Sequence, residues 1–470
     1  MQVFTQGLTY FWTKSLRMQV HFIAIGGSAM HNLAIALHKK GYVISGSDDE
    51  FFEPSKSRLA ACNILPENEG WDASRITGNL DAVILGMHAK SDNPELLRAK
   101  ELNIRIFSYP EYLYEQSKNK KRVVIGGSHG KTTITAMILH VLQKAGINCD
   151  YMVGAQLEGF DVMVKLSDDA PIMVIEGDEY LTSPIDLRPK FHLYKPDVAL
   201  LSGIAWDHIN VFPTFENYVE QFKIFIRQIS SGGSLIYCSE DVELQKICPG
   251  SRNDIALIPY HTLPHEINNG VTSVKFNGTY LPLQIFGNHN LMNLNGARLV
   301  CNHLGVDDLT FFESVQSFKG ASKRLELVAG NSSVSVYKDF AHAPSKVKAT
   351  LQAVKEQFPL HKVIACLELH TYSSLNNEFL GQYKGALDPA DLAIVYYSPH
   401  ALQLKRLPDI SAGQVKEGFG RTDLEIYTDS KALVERLFRE KHPQTVLLMM
   451  SSGNYDGIDL KDLGMRWTDL

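Results

Sequence analysis

No stretch of this 470-residue chain stays apolar for the ~18 residues that a membrane-spanning helix needs, so no bilayer span is expected. Cysteine is sparse. Its six residues, at 62, 149, 238, 248, 301 and 366, include no C-x-x-C pair. That excludes a disulfide framework and a thiolate zinc site, and it fits a reducing, cytoplasmic setting. Basic charge is not in excess either: 46 Lys and Arg stand against 52 Asp and Glu, a net −6 that argues against a general nucleic-acid coat. A local phosphate site remains compatible with that balance. Low-complexity tracts and short repeats are missing as well. What is present is 44% apolar and 21% charged residues, enough for several packed cores. At roughly 150 residues per domain the length suggests about three. The first 17 residues, MQVFTQGLTYFWTKSLR, have neither a basic n-region nor an unbroken apolar h-region, so they are not read as a signal peptide. They read as an upstream extension before Met18, with no function assigned.

Strand-like runs alternate with helical patterns in three successive blocks. The first holds VHFIAIGG (20–27), YVISGSD (42–48), AVILG (82–86) and IRIFS (104–108), with Met30, Leu33, Ala34 and Leu37 at helical spacing. The charged EQSKNKKR (115–122) reads as a linker. The second block opens with VVIGGSHGKTT and a helix striped by Ile134, Met137, Ile138, Val141 and Leu142, ending at Gly146. Strands are expected at 171–178 and 197–204, and a second linker near FKGASKR (318–324). The third block repeats the alternation at 334–340, 362–369, 391–398, 424–429 and 445–453, with a helix from Pro344. Such alternation implies parallel sheets with right-handed crossovers, hence an α/β chain of three domains, 1–118, 119–318 and 319–470.

The sharpest signal is Gly127-Ser128-His129-Gly130-Lys131-Thr132-Thr133, between a strand and a helix. Glycines let backbone N–H groups converge on a phosphate chain, and the helix start adds positive potential. Lys131, expected to face a solvent-open loop, would reach the β/γ-phosphates, and Thr132 would bind Mg²⁺. The full G-x-x-x-x-G-K-T spacing is missed because residue 125 is Ile; the bland alternative is a chance glycine turn. Glu176-Gly177-Asp178-Glu179 ends a strand and offers hard oxygen ligands where open α/β sheets bind ligands, or is a solvated acidic turn. Asp207-His208 forms a second such strand end. Gly26-Gly27-Ser28, with Asp48 about 20 residues on, resembles a dinucleotide turn without its full spacing. His289, Asn290 and Asn293 follow Gly287 and can pair with a purine edge, or start a helix. Arg324, Asp339 and His342 flank the third block's first strand, where a surface trio is the plain alternative.

Taken in order, the IGGSAM turn with ISGSD, GGSHGKTT, EGDEY, the DH pair, GNHNLMN, KRLE and DFAHAPS resemble the muramyl ligase family, ATP-dependent ligases of peptidoglycan assembly, over nearly the whole chain from Met18. The resemblance implies a Rossmann-like N-terminal UDP-sugar domain, a central P-loop ATPase domain and a Rossmann-like C-terminal domain that closes over the nucleotide. Lys131, Glu176 and His208 would be catalytic, and Thr132, Glu176 and His208 would hold Mg²⁺. ATP would meet the loop 127–133, His289, Asn290 and Asn293, with Arg324, Asp339 and His342 from the third domain. It would be fully bound only when the two domains come together. Gly26, Gly27, Ser28, Asp48, His88, Ser91 and Asn93 would cradle uridine diphosphate. Lys223 falls where some members carry a carbamylated lysine, or is an ordinary helix lysine. The implied substrates are UDP-N-acetylmuramate and an amino acid or peptide, with no nucleic-acid or membrane partner, on a monomer or weak dimer.

IEGDEYLTSPIDLRPKFHLYKPD, DFAHAPS and SSGNYDGI resemble members that attach the tripeptide L-alanyl-γ-D-glutamyl-meso-diaminopimelate. LHTYSSLNNEF and DNPEL are similar instead to the H-x-Y-S/T-R and related segments of members that attach L-alanine. In SSGNYDGI (451–458), Ser451, Ser452 and Asn454 with Gly453 and Gly457 would receive the tripeptide, unless the segment is only a turn ending the sheet. A nucleotide switch without ligation leaves the first block unexplained. A nicotinamide oxidoreductase leaves Lys131 and Glu176 unexplained.

Overall fold

The computed structural model describes residues 17–157, 159–160, 162–206, 211–268, 270–321 and 324–469. The described chain packs as two compact units. One comprises the residues up to Leu113 with Thr182–Leu187, the other Tyr114–Leu181 with Arg188 onward.

In the first unit four parallel strands lie in the order Val43–Ser47, Gln19–Ile23, Ala82–Leu85, Ile106–Ser108. Val20, Phe22, Ile23, Val83 and Ile84 are fully buried because helices cover both faces of the sheet, which is why these strands read as continuous apolar runs. Helix Ser28–Lys39 leaves the first strand across a four-residue turn and buries Met30, Leu33, Ala34 and Leu37, the positions whose spacing marked it.

The second unit holds two large sheets. The seven-stranded one runs Ala256–Tyr260, Ser234–Cys238, Val198–Leu201, Lys121–Gly126, Ile172–Glu176, Asp150–Met152, Val164–Lys165, parallel except for its last strand. The six-stranded one runs Glu326–Gly330, Val334–Asp339, Thr445–Met450, Lys362–Leu369, Leu392–Tyr397, Glu425–Tyr427, with only its first strand antiparallel. Its two faces bury separate cores, one including Leu351, Val363, Leu367 and Tyr383, the other Leu437, Tyr455 and Trp467. The fold is thus α/β, with a Rossmann-like sheet in the N-terminal block, a P-loop sheet in the middle and a Rossmann-like sheet in the C-terminal block. No helix among the described residues is long and apolar enough to cross a membrane.

Two departures from the sequence reading have local causes. The charged run 115–122 follows the boundary between the two units but is not an open linker: helix Tyr109–Ser117 ends inside it and strand Lys121–Gly126 begins inside it. Arg122 is turned inward, donating to the carbonyl of Lys195 at 2.9 Å, that of Lys118 at 3.0 Å and the Asp197 carboxylate at 3.3 Å. The second departure is a three-stranded antiparallel sheet, His265–Asn268, Val271–Phe276 and Thr279–Pro282, which no periodicity announced. Its signal was Asn277-Gly278, which takes φ 48° and 81° in the two-residue turn that matches strand twist.

Arg122 satisfies carbonyls that the end of a helix leaves without partners. Arg122→Ala should therefore destabilise this unit by about 1–3 kcal/mol, because it strands those carbonyls. A urea-unfolding midpoint equal to that of the unsubstituted protein counts against this account.

Candidate active site

Strand Lys121–Gly126 lies between Val198–Leu201 and Ile172–Glu176, in register at Gly126↔Leu201 and Ile125↔Glu176. All three strands therefore release their chains at one carboxyl edge, where open parallel sheets bind ligands. The loop Gly127–Gly130 leaves the central strand under tight steric limits. Gly127 has φ +129°, and a Cβ there would lie 2.2 Å from Ser202 Oγ. Gly130 has φ +78°, and its Cβ would lie 2.4 Å from Asn293 Oδ1. Helix Lys131–Lys144 starts at once, capped by Gly130 with no side-chain bond, so the positive end of its dipole lies beside the loop.

Lys131 does not face open solvent as expected: its side chain is only 14% exposed. Its Nζ donates to the Gly127 carbonyl at 2.6 Å and to Glu179 Oε2 at 2.6 Å. Burial works against the ammonium, but Glu179, with Asp178 and Glu176 beyond it, outweighs that cost and holds the pKa above the ordinary lysine value. Glu179 also accepts from the Tyr218 hydroxyl at 3.0 Å, and that hydroxyl meets Ser128 Oγ at 2.8 Å. A polar chain thus runs from the loop serine through Tyr218 and Glu179 back to the loop lysine. Neither Glu179 nor Tyr218 was singled out from sequence. Glu179 stood inside the noticed EGDE run, but Tyr218 lies 90 residues from Ser128 and only tertiary structure brings it in.

Thr132 Oγ1 donates to Glu176 Oε1 at 2.8 Å, and the Gly154 N–H donates to Oε2 at 2.8 Å. A buried hydroxyl and carboxylate side by side are the hard oxygen donors that Mg²⁺ takes from a protein, one or two of them with phosphate completing the shell, so this pair fits that ion. Asp207 and His208, the other expected metal contributor, lie outside the described residues.

These groups open onto a cavity of about 440 Å³ lined by residues 128–133, Glu176, Ser202–Ala205, Asp241, His289, Asn290 and Asn293. Arg324, Asp339 and Thr350 line it from the third block, so the second and third blocks contribute walls to one cavity. His289 and Asn290 begin helix Asn288–His303 behind Gly287, so the helix-start reading and the cavity reading both hold for GNHNLMN. Asp339 is buried and accepts the Ala341 N–H at 2.7 Å as well as the Leu325 N–H. Burial pushes its carboxyl upward, with Arg324 opposing. The Arg324 guanidinium lies 4.7 Å over the Phe340 ring. Gly127 shapes the loop without lining the cavity. His342 is also outside the lining: its Nδ1 meets the Phe340 carbonyl at 2.8 Å, and its own carbonyl accepts from Tyr383. Asp241, missed in sequence, lines the wall and fastens it by accepting the Ile204 N–H at 3.0 Å. Lys223 is 46% exposed on helix Phe215–Arg227 and pairs with Glu220 at 3.6 Å, away from the lining.

In the terminal loop the two glycines differ: Gly457, at φ +89°, has open space where a Cβ would sit, whereas Gly453 does not. A Cβ on Gly453 would meet His370 at 2.7 Å and Glu368 at 2.8 Å, so that glycine admits protein, not ligand. Buried Glu368 accepts from Ser451 Oγ and from the Tyr455 N–H at 2.9 Å, tying the loop to the sheet.

In the first unit the Gly26 N–H donates to Asp48 Oδ2 at 2.7 Å, and a Gly26 Cβ would lie 2.8 Å from that oxygen. Burial, with Asp49 hydrogen-bonded beside it, pushes the Asp48 carboxyl up to about 6. Ser28, His88 and Ser91 are exposed, with His88 Nδ1 3.7 Å from where a Gly27 Cβ would sit. Asn93 Oδ1 is taken up by capping helix Pro94–Glu101, accepting from the N–H groups of Glu95 and Leu96. Glu95, which sequence did not flag, is fully buried, 3.3 Å from His21 and accepting the Asp72 N–H at 2.9 Å.

Burial pushes the His289 imidazole down to about 4. The ring should stay neutral through pH 5.5–8 in NMR titration and protonate near 4. Because an unfolded histidine titrates near ~6.5, the neutral ring's share of stability is complete above that value and is lost as pH falls toward the folded pKa. A His289 resonance titrating near ~6.5 contradicts the effect of burial on this ring.

Comparison with known proteins agrees with this architecture. Residues 19–121 match the model of the Mur ligase family catalytic domain, 125–301 that of the Mur ligase middle domain and 323–453 that of the Mur ligase glutamate ligase domain. A UDP-N-acetylmuramate–L-alanine ligase of Caldicellulosiruptor bescii is 31% identical over 428 residues, 88% of either chain. A UDP-N-acetylmuramate–L-alanyl-gamma-D-glutamyl-meso-2,6-diaminoheptandioate ligase of Haemophilus influenzae is 27% identical over 94% of this chain and 98% of its own. The crystal structure of a UDP-N-acetylmuramate-alanine ligase from Thermotoga maritima shares the fold with a TM-score of 0.68 at 20% identity, over 96% of this chain and 98% of that one. With three consecutive family domains and a P-loop cavity walled by the last two, the chain belongs to the Mur ligase family, the ATP-dependent amide-forming ligases.

Proposed function

We propose that this enzyme uses ATP to activate the lactyl carboxylate of UDP-N-acetylmuramate and joins to it the amine of the tripeptide L-alanyl-γ-D-glutamyl-meso-diaminopimelate, in peptidoglycan recycling. The observation that carries the activity is the single cavity in which Lys131, Thr132 and Glu176 face Arg324 and Asp339. A carboxylate and an ammonium do not condense at useful rates in water, so the carboxylate must first gain a leaving group. Phosphoryl transfer from ATP supplies one as an acyl phosphate, which the deprotonated amine then displaces. Lys131 contributes charge and position to the first step, and the helix start behind it offers backbone N–H groups to the phosphates. Thr132 and Glu176 would hold Mg²⁺, which when bound neutralises phosphate charge. Arg324 and Asp339 enclose the nucleotide from the third block and limit water at the reacting end. The glycine turn held by Asp48, with His88 beside it, is assigned to the uridine diphosphate, together with exposed Ser28 and Ser91.

Acceptor choice rests on the segment after strand Lys362–Leu369. Where the alanine-type H-x-Y-S/T-R pattern puts arginine, this chain has Ser374, buried and donating to the Thr371 carbonyl at 3.1 Å. The segment therefore departs from the alanine-type pattern at its last position. The Haemophilus influenzae relative, named for the tripeptide, aligns over 94% of this chain. A second reading, L-alanine as acceptor, is favoured by the relatives at 31% identity that are named for it.

Lys131→Ala should reduce ligation and ADP release by about a hundred- to a thousandfold. Because it also uncovers Glu179, circular dichroism should accompany the assay; a folded variant with near-normal activity removes the P-loop assignment. Offered both acceptors in a mass-spectrometric product assay, the enzyme should prefer the tripeptide by more than about tenfold in kcat/KM. Equal or better use of L-alanine transfers the assignment to the alanine-adding reaction.

A further inference from the structure

The cavity receives one cation that neither the motifs nor the proposed chemistry has used. Lys346 lines it from the first turn of helix Pro344–Gln357, together with Ala349 and Thr350 of the same helix. Helical spacing sets residues 346, 349 and 350 on one face, and Thr350 reaches toward Asp339 at 3.4 Å. The helix opens behind Ala343, a cap with no side-chain hydrogen bond, and its start meets the P-loop directly: His129 Nε2 and Ser345 Oγ are 2.8 Å apart. The loop that receives phosphates and the turn that carries Lys346 are thus joined by a hydrogen bond.

Charge on the lining makes a further cation consequential. Glu176, Glu240, Asp241 and Asp339 stand against Lys131, Arg324 and Lys346. A triphosphate brings several more negative charges into that enclosure, where an opposite charge acts at low dielectric.

We infer that Lys346 is a phosphate-binding residue for the nucleotide's β/γ end, carried to it by the third block when Ser345 docks on His129. This rests on the reading of the cavity as an ATP site. It places a catalytic-site cation on the block opposite the P-loop, so the triphosphate is gripped from both sides.

The test titrates the purified full-length protein, in buffer containing Mg²⁺, with a non-hydrolysable β,γ-methylene ATP analogue, with ADP and with AMP. Lys346→Gln should weaken the triphosphate analogue by about tenfold, ADP less, and AMP by less than about twofold. Lys346→Arg should restore most of the loss. Lys348→Gln, on the exposed side of the same helix and outside the lining, should bind like the unsubstituted protein. Equal weakening for AMP and the triphosphate, or none for either, overturns the assignment, because a merely structural lysine does not read phosphate number. If the phosphate-graded loss is found but the unsubstituted enzyme forms no amide with UDP-N-acetylmuramate, the ligase reading falls and the role of Lys346 stands. Failure to bind any adenine nucleotide overturns both.

Discussion

The site depends on keeping a lysine charged inside the protein. Lys131 lies at the start of a helix, where the dipole repels a cation, and under a loop that hides it from water. The Gly127 carbonyl and the Glu179 carboxylate, both at 2.6 Å, with the charges of Asp178 and Glu176 beyond, make that position tolerable. Part of the middle block's polar architecture serves this arrangement. Glu179 is buried, and Tyr218 braces it while also bonding the loop serine. The two glycines with positive φ exist because Ser202 and Asn293 press against the loop from neighbouring elements. An incoming phosphate chain enters a site whose cation is already placed, so little reorganisation is left for the reaction itself.

Several carboxylates of this chain hold backbone in place. Asp48 fastens the first glycine turn, Asp241 fastens the wall after strand Val198–Leu201, Asp339 fastens Leu325 and Ala341, and Glu368 fastens the terminal loop. Each sits at the carboxyl edge of a parallel sheet, where backbone N–H groups leave the ladder and need new acceptors. Leu325 has φ 46°, a conformation that a leucine holds only with outside support. An acceptor placed there keeps Arg324, its neighbour, at the cavity.

Much of the fold was legible in the chain. Buried parallel strands appear as apolar runs because both faces are covered, and the helices that follow them carry apolar stripes at 3.6-residue spacing. The glycine loop with Lys131 and Thr132, the Glu176 strand end and the GNHNLMN helix start were all visible locally, because each must occupy a fixed place between one strand and one helix. The misreadings came where local and tertiary demands differ. A charged run such as 115–122 looks solvated, yet Arg122 is pulled inward by carbonyls and by Asp197, which lies 75 positions away. Gly453 looked like room for a ligand and is room for His370 and Glu368.

The sequence by itself determined the order of α/β blocks and the composition of the phosphate loop, since strand burial and glycine turns leave patterns a few residues long. Tertiary structure decided which charges meet. Tyr218 joins Ser128, Ser345 joins His129, and Arg324 with Lys346 joins the P-loop wall, through separations of 90 to more than 200 residues. Pairing of side chains across such distances depends on strand register and helix orientation. Those are settled only when the sheets close on their cores, and no short pattern encodes them.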